Sequence, residues 1–95
     1  MIEISIRKDG ITVSGHANYA PRGQDIVCAA VSTLAIALIN SIKDLTEDKI
    51  HYSISPGRAD IEYKDLSEKS KTLVDSFFVG ISMVSNDYPN HVRMI

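Results

Sequence analysis

The sequence predicts one α+β domain in the order ββαββαβ, with a mainly antiparallel sheet packed against two helices. Three observations carry that prediction. Apolar residues alternate with polar ones at the start of the chain and again past its midpoint, which is the period of strands with one buried face. Each alternating pair of segments is split by turn chemistry, Lys8-Asp9-Gly10 in the first and Pro56-Gly57-Arg58 in the second. A long stretch at helical spacing follows each pair, and the first of these is apolar on nearly every side.

Ile2, Ile4 and Ile6 alternate with Glu3, Ser5 and Arg7, and Ile11 and Val13 resume the pattern to complete an N-terminal hairpin. Residues 16–24 contain Pro21 and Gly23 and read as a loop whose small residues let it move. Asp25 suits the N-cap of the first helix, where its carboxylate can accept from Val27 or Cys28 N–H. That helix is expected to run to about Lys43. Being apolar all round, it must be covered all round, by a sheet on one side and a second helix or another subunit on the other. It is the central helix of the domain. Ile50, Tyr52 and Ile54, then Ala59, Ile61 and Tyr63, alternate as a second hairpin. Asp65 with Glu68 resembles a capping box and opens a helix to about Ser85. Its inward stripe is Leu66, Leu73, Phe77, Ile81 and Val84, flanked by Val74 and Phe78, and Gly80 lets another backbone come close. Asn86 to Asn90 end this helix, and His91 to Ile95 read as a short final strand.

The totals narrow the function classes. At 95 residues, with no linkers, repeats or low-complexity segments, residues 1–95 form a single domain with a modest core that a dimer can extend. A hydrophobic share of 44% against 23% charged describes a folded soluble chain, not a disordered one. The net charge of −2, with no basic block, argues against direct nucleic-acid binding. One cysteine makes no internal disulfide, so the fold does not depend on an oxidising compartment. No secretory leader opens the chain, and the apolar run Ile26 to Ile39 falls short of the roughly 20 residues that span a bilayer. A soluble, cytoplasmic protein with no membrane partner is expected.

Candidate chemistry concentrates between Gly15 and Ser32. A thiol in the first turn of a helix sees unpaired N–H groups and the positive end of the macrodipole, which favour negative charge on sulfur. Cys28 stands there, and His16 on the preceding loop makes a candidate nucleophile–base pair. Asp25, Cys28 and Ser32 share one stripe of the helix, a polar seam on an apolar element. Each member also has an ordinary structural reading: Cys28 as a small buried hydrophobe, Asp25 as a cap, Ser32 bonded to a carbonyl one turn back. The charge of Asp25 opposes a thiolate, so it fits a cap, an orienter or a partner of His16 better than an activator. His51 is read as exposed and His91 as a surface or edge position. One cysteine and three scattered histidines give no structural metal site, and no phosphate-binding glycine pattern precedes a helix.

The segment Gly15-His16-Ala17, then Gly23, then Asp25-Ile26-Val27-Cys28-Ala29-Ala30-Val31-Ser32 resembles the signature of the bacterial ribosomal-processing cysteine protease family, Prp. The resemblance covers the whole chain, including the two hairpins, the two helices and Tyr88-Pro89 before the last strand. It implies a cytoplasmic, homodimeric cysteine endopeptidase that needs no cofactor. Its substrate would be the precursor of the twenty-seventh large-subunit ribosomal protein, cut after a short aliphatic and aromatic stretch to remove an N-terminal extension. Carried onto this chain, the resemblance makes Cys28 the nucleophile and His16 its general base, with Asp25, Gly15 and Ser32 at the other signature positions. The loop of Ala17, Asn18, Tyr19, Ala20, Pro21, Arg22 and Gly23 would be mobile and border the substrate groove, with Tyr19-Ala20-Pro21 as part of an apolar wall. Backbone N–H groups at the start of the helix would hold the oxyanion. Two other readings stand beside it: a ribosome-associated protein-binding module with a structural cysteine, and a redox-sensing thiol with His16 merely adjacent.

Overall fold

Apolar alternation sorts the strands into two faces, and the register keeps the sorting consistent across the sheet. The computed structural model describes residues 1–95 as β1 (Ile2–Arg7), β2 (Gly10–Ser14), α1 (Ile26–Leu45), β3 (Ile50–Ser55), β4 (Arg58–Tyr63), α2 (Glu68–Asp87) and β5 (Val92–Met94). The five strands form one sheet in the order β3-β4-β2-β1-β5. Every neighbouring pair is antiparallel except β1 with β5, which is parallel because α2 carries the chain back across the sheet.

On one face Ile4 stands opposite Val13, Ile11 opposite Ile61 and Ile2 opposite Val92. Both helices pack there, α1 burying Val27, Val31, Ala35, Leu38, Ile39 and Ile42, and α2 burying Phe77 and Ile81. The other face is polar: Arg58 pairs with Asp60, Thr12 donates to the same carboxylate, and Arg93 pairs with Glu3. The domain is therefore a two-layer sandwich of helices on a sheet whose far side is wet.

The second helix begins later than the capping-box pattern predicts. Asp65 adopts a left-handed conformation with φ of 54°, and Ser67 is the N-cap, accepting from Ser70 N–H. The reason is a long-range acceptor: Asp48 takes the N–H and hydroxyl of Ser67 and the hydroxyl of buried Ser70. Phe78, expected beside the inward stripe, is half exposed. Gly80 admits a side chain, not a backbone: a Cβ there would lie 2.8 Å from Leu34 Cδ2 of α1. The first helix reaches Leu45, two residues beyond the expected end, and at 20 residues it is long and apolar enough to cross a membrane. Here it is instead the core helix of the sheet. Its coverage is incomplete, for Ile26 and Ile36 remain 56% and 43% exposed.

Candidate active site

Three elements converge on Cys28: the loop after β2, the first turn of α1 and the β3–β4 turn. Gly15 leaves β2 with its N–H on Gly57 O at 2.8 Å, which ties the base of the loop to that turn. The next residue, His16, is exposed, and its imidazole stands directly over Gly57. Its carbonyl accepts from the Met1 amino nitrogen at 2.6 Å.

One carboxylate organises both the helix start and the loop. Oδ1 of Asp25 accepts from Val27 and Cys28 N–H, each at 3.0 Å, so the expected cap is present. Oδ2 accepts from Tyr19 N–H at 2.9 Å and Ala20 N–H at 3.3 Å, holding the second half of the loop against the helix. No bond runs from Asp25 to His16. Of the helix-start donors expected for an oxyanion, Val27, Cys28 and Ala29 N–H are engaged in this conformation, the last by the Asp25 carbonyl at 3.1 Å. The main-chain donor that points at the sulfur is Ala17 N–H, 3.4 Å from Sγ.

The Cys28 side chain is half-buried between two hollows that meet at His16, Cys28 and Ser32. One, of about 150 Å³, is walled by Ile2, Val13, Val31, Ile36 and Ile54 and also touches Gly15. The other, an open cleft of about 620 Å³, runs past Asn18, Ala20, Arg22, Gly23 and Asp25 to Pro56. No hydrogen bond joins the imidazole to the thiol in this conformation.

Three loop residues depart from the expected groove wall. Ala17 is buried beneath the loop, and Pro21 lines neither hollow. Tyr19 turns its ring edge-on to Tyr88 and His91, at centroid distances of 5.4 and 5.3 Å. His91 stands at a sheet edge, one of the two positions expected for it, where it is partly buried with its Nδ1 2.8 Å from Ala17 O. His51 is exposed as expected. Gly57 and Pro56 read in the sequence only as a turn; nothing local marks them as neighbours of His16.

The Asp25 carboxyl is held below its ordinary value of 3.8, chiefly by Cys28 N–H, with Ala20, Tyr19 and Val27 N–H adding and desolvation opposing. A carboxylate depressed in the folded state stabilises it above the unfolded value, and that contribution disappears as pH falls through the folded value. Urea midpoints should therefore hold level from about pH 7 to 5 and fall below about pH 4. The fall should be shallower in Asp25→Asn, and equal slopes in the two proteins would show that the cap does not titrate with folding.

A thiol and an imidazole sharing one cavity, on a helix start and a two-ended loop, define a peptide hydrolase of the cysteine class once the likenesses to other proteins are set beside them. Residues 1–93 match the family described as cysteine protease Prp. The chain belongs to that family and is a cysteine protease. It is 26% identical to the ribosomal processing cysteine protease Prp of Bacillus subtilis, covering 99% of this chain and 96% of that one. Against the Mycoplasma genitalium protein of the same name, identity is 31%, with 97% and 92% covered. The fold matches a crystal structure of the Staphylococcus aureus ribosomal processing protease Prp with a covalently linked product peptide. The TM-score is 0.88 at 21% identity, over 98% of this chain and 94% of that one.

Proposed function

We propose that this protease removes the N-terminal extension of the twenty-seventh large-subunit ribosomal protein, with Cys28 as nucleophile and His16 as general base. The observation that carries the reading is the shared cavity: His16 and Cys28 both line it, and its remaining walls are apolar enough to take an aliphatic or aromatic side chain beside the cut. His16 takes the Cys28 thiol proton, the thiolate attacks the scissile carbonyl, and the imidazolium gives that proton to the leaving amine; water activated by the same imidazole then hydrolyses the thioester and frees Cys28. For that transfer the His16 ring moves from its seat on Gly57 toward the sulfur, a tightening common when substrate arrives. No cofactor enters the scheme.

The relatives named ribosomal processing proteases support the substrate class. The apolar surface left on α1 at Ile26 and Ile36 supports a homodimer. A single cysteine that must stay reduced to act supports a cytoplasmic location. Arginines on the wet face of the sheet are already paired with acids, at Arg58 and Arg93, which supports protein rather than nucleic-acid partners.

Because Cys28 is the only cysteine, alkylation strikes one nucleophile. The test is incubation of the host's full-length ribosomal precursor with the protein before and after iodoacetamide treatment, with product termini read by mass spectrometry. Cleavage by the untreated protein alone is expected. An intact precursor beside folded, untreated protein overturns the substrate assignment.

A further inference from the structure

We infer that His91 is a positioning residue for the thiol, holding Ala17 so that the Ala17 N–H stays on Cys28 Sγ. A carbonyl oxygen only accepts, so the His91 nitrogen facing Ala17 O at 2.8 Å, Nδ1, carries the proton. The same residue, Ala17, donates its N–H to Sγ at 3.4 Å. Ala17 is thus gripped through both of its peptide units, by the imidazole on one side and by the sulfur on the other. At 1% exposure it has no water to replace either partner.

His91 is itself well anchored. Its N–H donates to Tyr88 O at 3.0 Å, and its carbonyl accepts from Ile2 N–H at 2.8 Å, fixing it between the end of α2 and the start of β1. The Tyr19 ring closes the arrangement by standing edge-on to His91 at 80° and to Tyr88 at 82°. The loop is therefore clamped at three points, the first being the Met1 amino group on the His16 carbonyl. Asp25 holds Tyr19 and Ala20, and His91 holds Ala17, the one residue whose N–H meets the nucleophile. An N–H aimed at sulfur stabilises negative charge there, so the clamp at Ala17 sets thiolate reactivity.

The test compares His91→Ala, His91→Leu and His91→Asn in the full-length protein. Leucine keeps bulk without a donor, whereas the asparagine amide can donate from near the position of Nδ1. Alkylation of the sole cysteine by iodoacetamide reads the sulfur directly, whatever the substrate. Loosening the Ala17 N–H bond to sulfur, without removing its donor, predicts alkylation roughly 5- to 10-fold slower in the alanine and leucine variants, with asparagine within about twofold of wild type. Circular dichroism identifies the folded variants; if alanine does not fold, the leucine–asparagine pair decides.

The cleavage readout rests on the proposed nucleophilic role of Cys28, and there kcat should follow the same order with KM unchanged. If wild type fails to cleave the precursor while the alkylation order holds, the function reading falls and this one stands. Alkylation unchanged or faster in folded leucine variant, or slowed equally by asparagine, would overturn the positioning role.

Discussion

Replacing Cys28 by serine is expected to abolish proteolysis, by at least about 10⁴-fold in kcat/KM, while leaving the fold intact. The structure explains both halves. The cap of α1 uses the Cys28 N–H, which the substitution keeps, and a serine Oγ can still accept from Ala17 N–H. The side chain is only half-buried, so the small change in size meets little packing. Folding should therefore survive, and thermal midpoints should differ by no more than a few degrees, as for a change near 0.5 kcal/mol.

Chemistry should not survive, because a hydroxyl ionises far less readily than a thiol and needs a well-oriented base. In this site the only nearby carboxylate has all its hydrogen bonds to main-chain N–H groups, and none to His16. The proposed pair works as a dyad suited to a thiol, without the carboxylate that orients imidazole in serine triads. Steady-state cleavage of the precursor peptide measures the loss, and more than about 1% residual activity would remove Cys28 from the nucleophile's role.

What the sequence revealed follows the range of the interactions involved. Strand faces and the Asp25 cap were legible because period and capping are local: Oδ1 reaches N–H groups only two and three residues on. The start of α2 is not legible locally because Asp65, Ser67 and Glu68 offer competing caps, and the choice is made by Asp48 from another segment. Likewise, His91 acquires its partner across 74 residues of sequence, and no periodicity records such a contact. The loop residues were placed correctly along the chain but not around it. Tyr19 looks like a groove wall until the parallel strand β5 brings Tyr88 and His91 against it. Strands built from distant segments thus supply the parts of the site that local patterns miss.

Gly57 is the sharpest instance, and Gly57→Ala should lower kcat/KM about 100-fold, the scale of a 1 Å misplacement of a catalytic group. Its φ of 74° lies in the left-handed region, so alanine adds backbone strain of about 1–2 kcal/mol. More specifically, the added Cβ would lie 2.7 Å from His16 Nε2 and 3.1 Å from Cε1, closer than the ring can remain. The imidazole must leave this resting seat, and with it the starting point from which it swings to the sulfur. A stability loss alone would lower the fraction folded without changing the activity of folded molecules, so the rate must be normalised to folded protein. A double-mutant cycle with His16→Ala then separates the causes. If Gly57 acts through the imidazole, Gly57→Ala should do little more harm once His16 is gone. Additive losses would mean that the turn serves the site in some other way, such as shaping the wall that Gly57 and Ile54 share.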